Sequence, residues 1–354
     1  MQTFHNASHH LHSGRHEMFR GRLVPCHEVP ARLEHVLAEL RRRPRGALEV
    51  PDEPRDLDAV LARIHAPDYL SFLAGAWDEW AALAPENAQL DALPSVWPGR
   101  GLRQNVLPHS FSARLGHYAF DAGTPLTAGT WRAARSGAAC ALAAARALPL
   151  APRESAFVLT RPPGHHAGAD FLGGYCFLNN SALAAQSLRE RGCERVGVLD
   201  VDYHHGNGTQ SIFYARGDVF TVSVHGDPHT EYPFYLGYAD ERGEGDGLDR
   251  NLNLPLPRGT QFPAWRDALA RGLEALAAFD ARALVVPLGV DTFAGEPISG
   301  FRLASADYFE VGRAIADLGL PTLFVFEGGY AVAEVGVNVV NVLEGFGEAP
   351  HAGA

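Results

Sequence analysis

The chain has 354 residues, 46% of them apolar and 20% charged, an ordinary globular composition long enough to bury a large core. A net charge of -11 with no basic patch, although every Lys/Arg position is arginine, excludes a phosphate-tracking surface for nucleic acid. Cys26, Cys140, Cys176 and Cys193 lack C-x-x-C spacing, no run approaches the ~18 apolar residues of a membrane span, and residues 1–12 contain no apolar leader core. A cytoplasmic protein away from membranes is expected.

In chain order, the histidine-rich opening comes first, with His9 and His10 reading as a solvated loop. Helical patterns cover residues 30–43 and 68–83. The Pro/Gly-punctuated stretch 85–129 is too long for an ordinary connection and reads as a functional or interface loop rather than a linker. Beyond it, helical segments at 131–147, 180–191, 263–279 and 306–318 are interspersed with apolar, β-branched runs at 156–160, 195–200, 219–224, 283–290 and 321–326. Residues 227–260 read as loop-rich. Such alternation predicts an α/β fold with a central open parallel sheet flanked by helices. With no repeat at a fixed period, a single domain over residues 1–354 with an insertion at about 85–129 is the simplest organisation.

Four short segments at the ends of apolar runs carry the chemistry. In Asp200-Val201-Asp202-Tyr203-His204-His205-Gly206-Asn207-Gly208, residues two apart on an extended chain face one side, so Asp202 and His204 point together. Carboxylate and imidazole are suitable zinc ligands, and a catalytic zinc takes three protein ligands, so a third is required. Asp291, in Pro287-Leu288-Gly289-Val290-Asp291-Thr292, is the best candidate, because ligands of open α/β sheets gather beyond the carboxyl ends of strands. Arg161-Pro162-Pro163-Gly164-His165-His166 sets two adjacent histidines in a rigid frame, where each ring exchanges protons near neutral pH. In Phe326-Glu327-Gly328-Gly329-Tyr330, paired glycines allow the bend that brings a tyrosine hydroxyl to a pocket.

Together with Gly173-Gly174-Tyr175-Cys176-Phe177 and Val222-Ser223-Val224-His225, these motifs resemble those of the histone deacetylase superfamily over about residues 64–345. The opening segment through Leu23-Val24-Pro25 and Pro30 resembles its bacterial acetylpolyamine amidohydrolase branch more than eukaryotic histone deacetylases. The resemblance implies an arginase/deacetylase fold. It implies one zinc ion held by Asp202, His204 and Asp291, and a structural potassium held by Asp200, Ser223 and the carbonyls of Asp202, His204 and Val224. His166 is then the general base and acid, His165 orients the attacking water, and Tyr330 donates to the oxyanion. Asp200 and Asn207 hold the two histidines. Gly174, Tyr175 and Tyr232 match tunnel positions, and Asp121 or Glu231 would supply a carboxylate to a cationic amine. Asp121 is the single acid between Ala92 and Arg153.

The activity so implied is a zinc-dependent deacetylase that hydrolyses acetylated small amines, acetylpolyamines or diamines, in a homodimer joined through the insertion. Two other readings are an acetyl-lysine deacetylase acting on proteins and, in a different class, a non-catalytic metal-bound receptor or regulator; loss of a ligand, of the tandem histidines or of Tyr330 would favour the last. All are present.

Overall fold

The structure is a computed structural model and describes residues 1–349; the last residues of the expected domain, 350–354, lie outside the described residues. Eight parallel strands form one sheet: β1 (Gln2–His5), β4 (Leu48–Glu49), β5 (Ser155–Leu159), β6 (Val196–Asp200), β7 (Val219–Gly226), β8 (Asn251–Leu256), β9 (Ala283–Leu288) and β10 (Thr322–Phe326). A separate antiparallel hairpin joins β2 (His16–Phe19) and β3 (Arg22–Pro25). The helices are α1 (Ala31–Arg42), α2 (Leu57–Leu61), α3 (Pro67–Leu83), α4 (Phe111–His117), α5 (Thr130–Ala147), α6 (Asn180–Glu190), α7 (Asn207–Phe213), α8 (Phe262–Ala278), α9 (Asp307–Ala316) and α10 (Val332–Glu348).

The sheet order is β4-β1-β5-β10-β9-β6-β7-β8. Its middle strands are buried along their whole length because helices cover both faces, which is why they read as unbroken apolar runs. One core lies under α5 and α6, where alanines at 138, 139, 141, 144 and 145 let helices pack closely. The other lies under α1, α8, α9 and α10. The chain goes from β5 to β6 across a gap that β10 and β9 later fill, so the sheet has a switch point among these four strands. A crevice opens at their carboxyl ends.

Several expectations needed correction. Residues 227–260 are not wholly loop, since β8 closes the sheet edge there, with Asn251 paired to Thr221 and Leu254 to Val224. Its Asn-Leu-Asn-Leu-Pro sequence and proline fit an edge rather than an apolar run. The opening segment is not solvated throughout: Gln2–His5 pairs with β5, and His9 is buried while its carbonyl accepts from Arg161 at 2.6 Å. Helix α10 had no counterpart in the sequence reading, because its valines favour strands. Yet Val335, Val339, Val342 and Phe346 are buried at helical spacing, so packing overrides propensity.

The insertion is tied at its base by reciprocal backbone bonds of 2.9 Å between Ala92 and Leu126, and contains α4. It leaves Leu90, Val96, Leu102, Val106 and Leu107 exposed.

Candidate active site

The loops after β6 and β9 bring Asp202, His204 and Asp291 together, with a ligand atom of each within 4.8 Å of the others. His204 Nδ1 lies 2.9 Å from Asp291 Oδ2 and 3.4 Å from Asp202 Oδ1. Backbone donors aim the carboxylates: Gly328 N–H donates to Asp202 Oδ2 at 2.8 Å and Tyr203 N–H to Asp291 Oδ1 at 2.8 Å. A Cβ on Gly289 would stand 2.0 Å from Asp202 Oδ2, and one on Gly328 would stand 2.5 Å from that atom and 2.7 Å from Asp291 Oδ2. Only glycine fits either place. Burial and the neighbouring Asp202 charge push the Asp291 carboxyl up to about 6; burial disfavours protonated His204, but hydrogen bonds to both carboxylates outweigh it and raise His204 to about 10. Two crowded carboxylates and an imidazole, buried and held by backbone donors, form a donor set that fits a divalent metal ion.

The loop after β5 supplies the tandem histidines, whose ring centroids are 4.0 Å apart. His165 Nδ1 lies 2.9 Å from Asp200 Oδ2, and His166 Nδ1 lies 2.7 Å from Asn207 Oδ1. An amide oxygen only accepts, so His166 Nδ1 carries the proton and Nε2 keeps its lone pair. Burial opposes charge on His165, yet Asp200 and Asp202 overcome it and raise that ring to about 10. Burial with the charges of His165 and His204 pushes His166 well below its ordinary range. The neighbours thus split two adjacent rings into a cation and a neutral base. Beneath them Glu327 accepts from Gly164 N–H at 2.6 Å, His165 N–H at 3.2 Å and Ser181 Oγ at 3.0 Å, fixing the loop.

Tyr330 is set by a turn in which Gly329 has a φ of +136°. The fully buried Arg32 donates to the carbonyls of Gly329, at 2.6 Å, and Glu327, and its guanidinium lies 4.6 Å from the Tyr330 ring centroid. Glu28 joins Arg32 to Arg161 through ion pairs of 2.8 and 2.5 Å. From the β9 loop, Glu296 accepts the N–H groups of Tyr330 at 2.8 Å and Ala331 at 3.1 Å.

Above this floor a cavity of about 370 Å³ is lined by His166, His204 and Tyr330 below and by Tyr175, Tyr232 and Phe120 at its sides. Gly174, with φ +53°, lies so close to His166 that a Cβ would come within 2.2 Å of the ring. Asp121 lines the cavity, but its Oδ2 already accepts from Gly174 N–H and the Tyr232 hydroxyl, both at 2.7 Å. Glu231, expected to be available to a cation, is held by Arg258 at 3.1 Å. Sequence reasoning missed Glu17 of β2, which is buried in the cavity wall and accepts from the Tyr175 hydroxyl at 2.9 Å. Nothing in His16–Phe19 signals it, because Tyr175 comes from a distant loop and His27, 2.8 Å away, meets it only once the hairpin has formed. The buried ion pairs gave no such sign either, because Glu28 lies ahead of α1 and Arg161 comes from the loop after β5. Asp200 and Ser223 are register partners on β6 and β7 and line a separate void of about 10 Å³; Val224 follows on the same strand.

Residues 26–346 match the histone deacetylase domain family. The chain is 50% identical to acetylpolyamine amidohydrolase 2 of Pseudomonas aeruginosa, over 92% of each protein, and 45% identical to acetylpolyamine amidohydrolase of Mycoplana ramosa, over 91% of this chain and 93% of that one. Its fold superposes on the crystal structure of acetylpolyamine aminohydrolase from Burkholderia pseudomallei with a TM-score of 0.92, at 38% identity, over 98% of this chain and 99% of that chain.

Proposed function

The chain belongs to the histone deacetylase family, and from that premise we propose that it is a zinc-dependent amidohydrolase that cleaves acetylated small amines to acetate and free amine. The observation that carries this reading is the convergence, at one sheet switch point, of a three-ligand donor set, a neutral histidine beside a charged one, and a tyrosine at the same cavity floor. Asp202, His204 and Asp291 would hold zinc. When bound, the ion supplies Lewis acidity that polarises the amide carbonyl and lowers the pKa of water from about 15.7 toward 7.

The chain's own groups do the rest. His166 Nε2, free because Asn207 holds Nδ1, takes the proton of the attacking water and returns it to the leaving nitrogen. His165, kept protonated by Asp200, orients that water and adds positive charge. The Tyr330 hydroxyl donates to the oxygen that gains charge in the transition state. The Gly174 carbonyl receives the amide N–H, and Tyr175 and Tyr232 flank the methylene chain.

The acids of the cavity support a cationic amine as the far end of the substrate. Asp121 is held by the Gly174 N–H and the Tyr232 hydroxyl, and Glu17 by the Tyr175 hydroxyl and by His27, whose ring lies 2.8 Å away, whereas Glu231 is paired with Arg258. Asp200 and Ser223, paired in register on β6 and β7, would hold potassium as a structural ion with the carbonyls of Asp202, His204 and Val224. The exposed leucines and valines of the insertion suit a homodimer in which this loop narrows the mouth against proteins. The four cysteines are unpaired, in keeping with the cytoplasm, and among the described residues no helix is long and apolar enough to cross a membrane. Turnover of acetylputrescine, acetylcadaverine and acetylspermidine beside an acetyl-lysine peptide, by zinc-loaded protein, tests the reading. Preference for the peptide overturns it.

A further inference from the structure

The mouth of the cavity carries a charge that the hydrolytic chemistry leaves unused. Phe19 pairs with Arg22, so Arg20 and Gly21 form the two-residue tip of the β2/β3 hairpin, and Arg20 lines the cavity there. Both tip residues have left-handed backbone, with φ of 49° and 78°, as a tight turn between twisted strands requires. Arginine is an uncommon occupant of such a position, because its Cβ crowds the backbone there. Its guanidinium lies 5.1 Å from the centroid of the Phe19 ring, itself part of the lining. Among the described residues Arg20 makes no ion pair, unlike Arg258, whose charge is taken by Glu231.

The carboxylates lie deeper. Glu17 is buried on the same hairpin, where it takes hydrogen bonds from the Tyr175 hydroxyl and from His27 but meets no arginine, and Asp121 is half-buried and takes the Tyr232 hydroxyl. The insertion brings no further acid to the rim: between residues 92 and 153 Asp121 stands alone, while Arg100 and Arg103 lie in its exposed stretch. From floor to mouth, then, the sequence of groups is zinc ligands, aromatic walls, buried acid and exposed base.

We propose that Arg20 recognises a carboxylate, and that the site takes N-acetylated diamino acids, in which one terminal carbon bears both an ammonium and a carboxylate. Glu17 faces the ammonium and Arg20 the carboxylate, while the acetylated amine reaches the floor. Hydrolysis breaks the amide C–N bond, with hydroxyl going to the acetyl carbon and protons to the amine, leaving acetate and the free diamino acid. A long polyamine, by contrast, brings a second ammonium against Arg20 and is disfavoured. The assignment rests on the amidohydrolase reading above.

Free Nε-acetyl-lysine and acetylcadaverine provide the test, because they differ by one carboxylate. Their kcat/KM values, with that of acetylspermidine, are compared in wild type, Arg20→Gln and Arg20→Glu. Wild type is expected to favour acetyl-lysine over acetylcadaverine. Neutralisation should lower that ratio about fivefold and reversal about tenfold or more, with acetylspermidine rising relative to acetylcadaverine, and added salt should shrink these differences. Ratios that are the same in all three proteins, or a wild-type preference for acetylspermidine, overturn the proposal. If no amide is hydrolysed by any of the proteins, the activity reading fails instead. Calorimetric binding of lysine against cadaverine in the same three proteins then still decides Arg20, since equal ratios across them overturn its role.

Discussion

The floor and the mouth of the cavity are built on opposite principles. At the floor, each reacting residue is held by its neighbours: backbone N–H groups aim Asp202 and Asp291, Asp200 and Asn207 turn the tandem rings, and Arg32 and Glu296 clamp the Tyr330 turn. His165, His166, Asp200, Asp202, Asp291 and Tyr330 sit at or just beyond the ends of four adjacent central strands and are almost wholly buried. The mouth is made from a two-stranded hairpin, the 231–235 loop and the insertion, with Phe234, Tyr235 and Arg20 exposed. A floor that must hold charges within fractions of an ångström needs redundant bonds, whereas a rim that sorts substrates by charge needs few. Substitutions at the floor should therefore abolish turnover for every substrate, while those at the mouth should change the ranking among substrates.

The largest effect is expected at Asp291. Asp291→Ala leaves two protein ligands, so bound zinc, measured by elemental analysis of dialysed protein, and turnover should fall together, by more than about 10²-fold in affinity. Stoichiometric zinc with normal activity would remove Asp291 from the site.

Next comes Tyr330→Phe, which should retain zinc and fold yet lower kcat by about 10²- to 10³-fold, the usual loss for one oxyanion donor. Equal losses are expected on acetylcadaverine and on a neutral alkylacetamide, because the floor does not read the far end. A loss confined to cationic substrates would blur the division between floor and mouth.

The pH profile probes the floor more gently. A base works in its neutral form, which prevails above its pKa, and burial, with the charge of His165 and of the proton or metal ion on His204, holds His166 below its ordinary value of 6.5. The acidic limb of kcat/KM should therefore fall below pH 6.5, and a bound metal cation shifts it the same way. Asn207→Asp places a carboxylate on Nδ1, favours imidazolium and should move that limb up by about one unit or more. An unmoved limb would mean that His166 is not the titrating base.

The smallest effect belongs to the mouth. Glu17→Gln should lower kcat/KM about tenfold for acetylcadaverine and little for the neutral alkylacetamide, since a charge-assisted bond contributes about 1.5 to 3 kcal/mol and is partly screened here. Equal changes for both would assign Glu17 to holding Tyr175 and His27.

The same division separates what was legible in the sequence from what was not. The buried strands announced themselves as apolar runs, and the residues directly after them, Asp202, His204, His165, His166, Asp291 and Tyr330, were legible because strand ends are short, local and facing one way. The outer strands β4 and β1, the edge strand β8 and the valine-rich α10 were not, because their burial depends on neighbours far along the chain. What only the tertiary structure decided was the pairing of charges: that Glu231 belongs to Arg258, that Asp121 ties Gly174 to Tyr232, and that Glu17 and Arg20 reach the cavity at all. Local sequence determines where a backbone turns and which face a side chain takes. The partner that sets the free energy of a buried charge comes from a distant segment, and only the folded chain brings the two together.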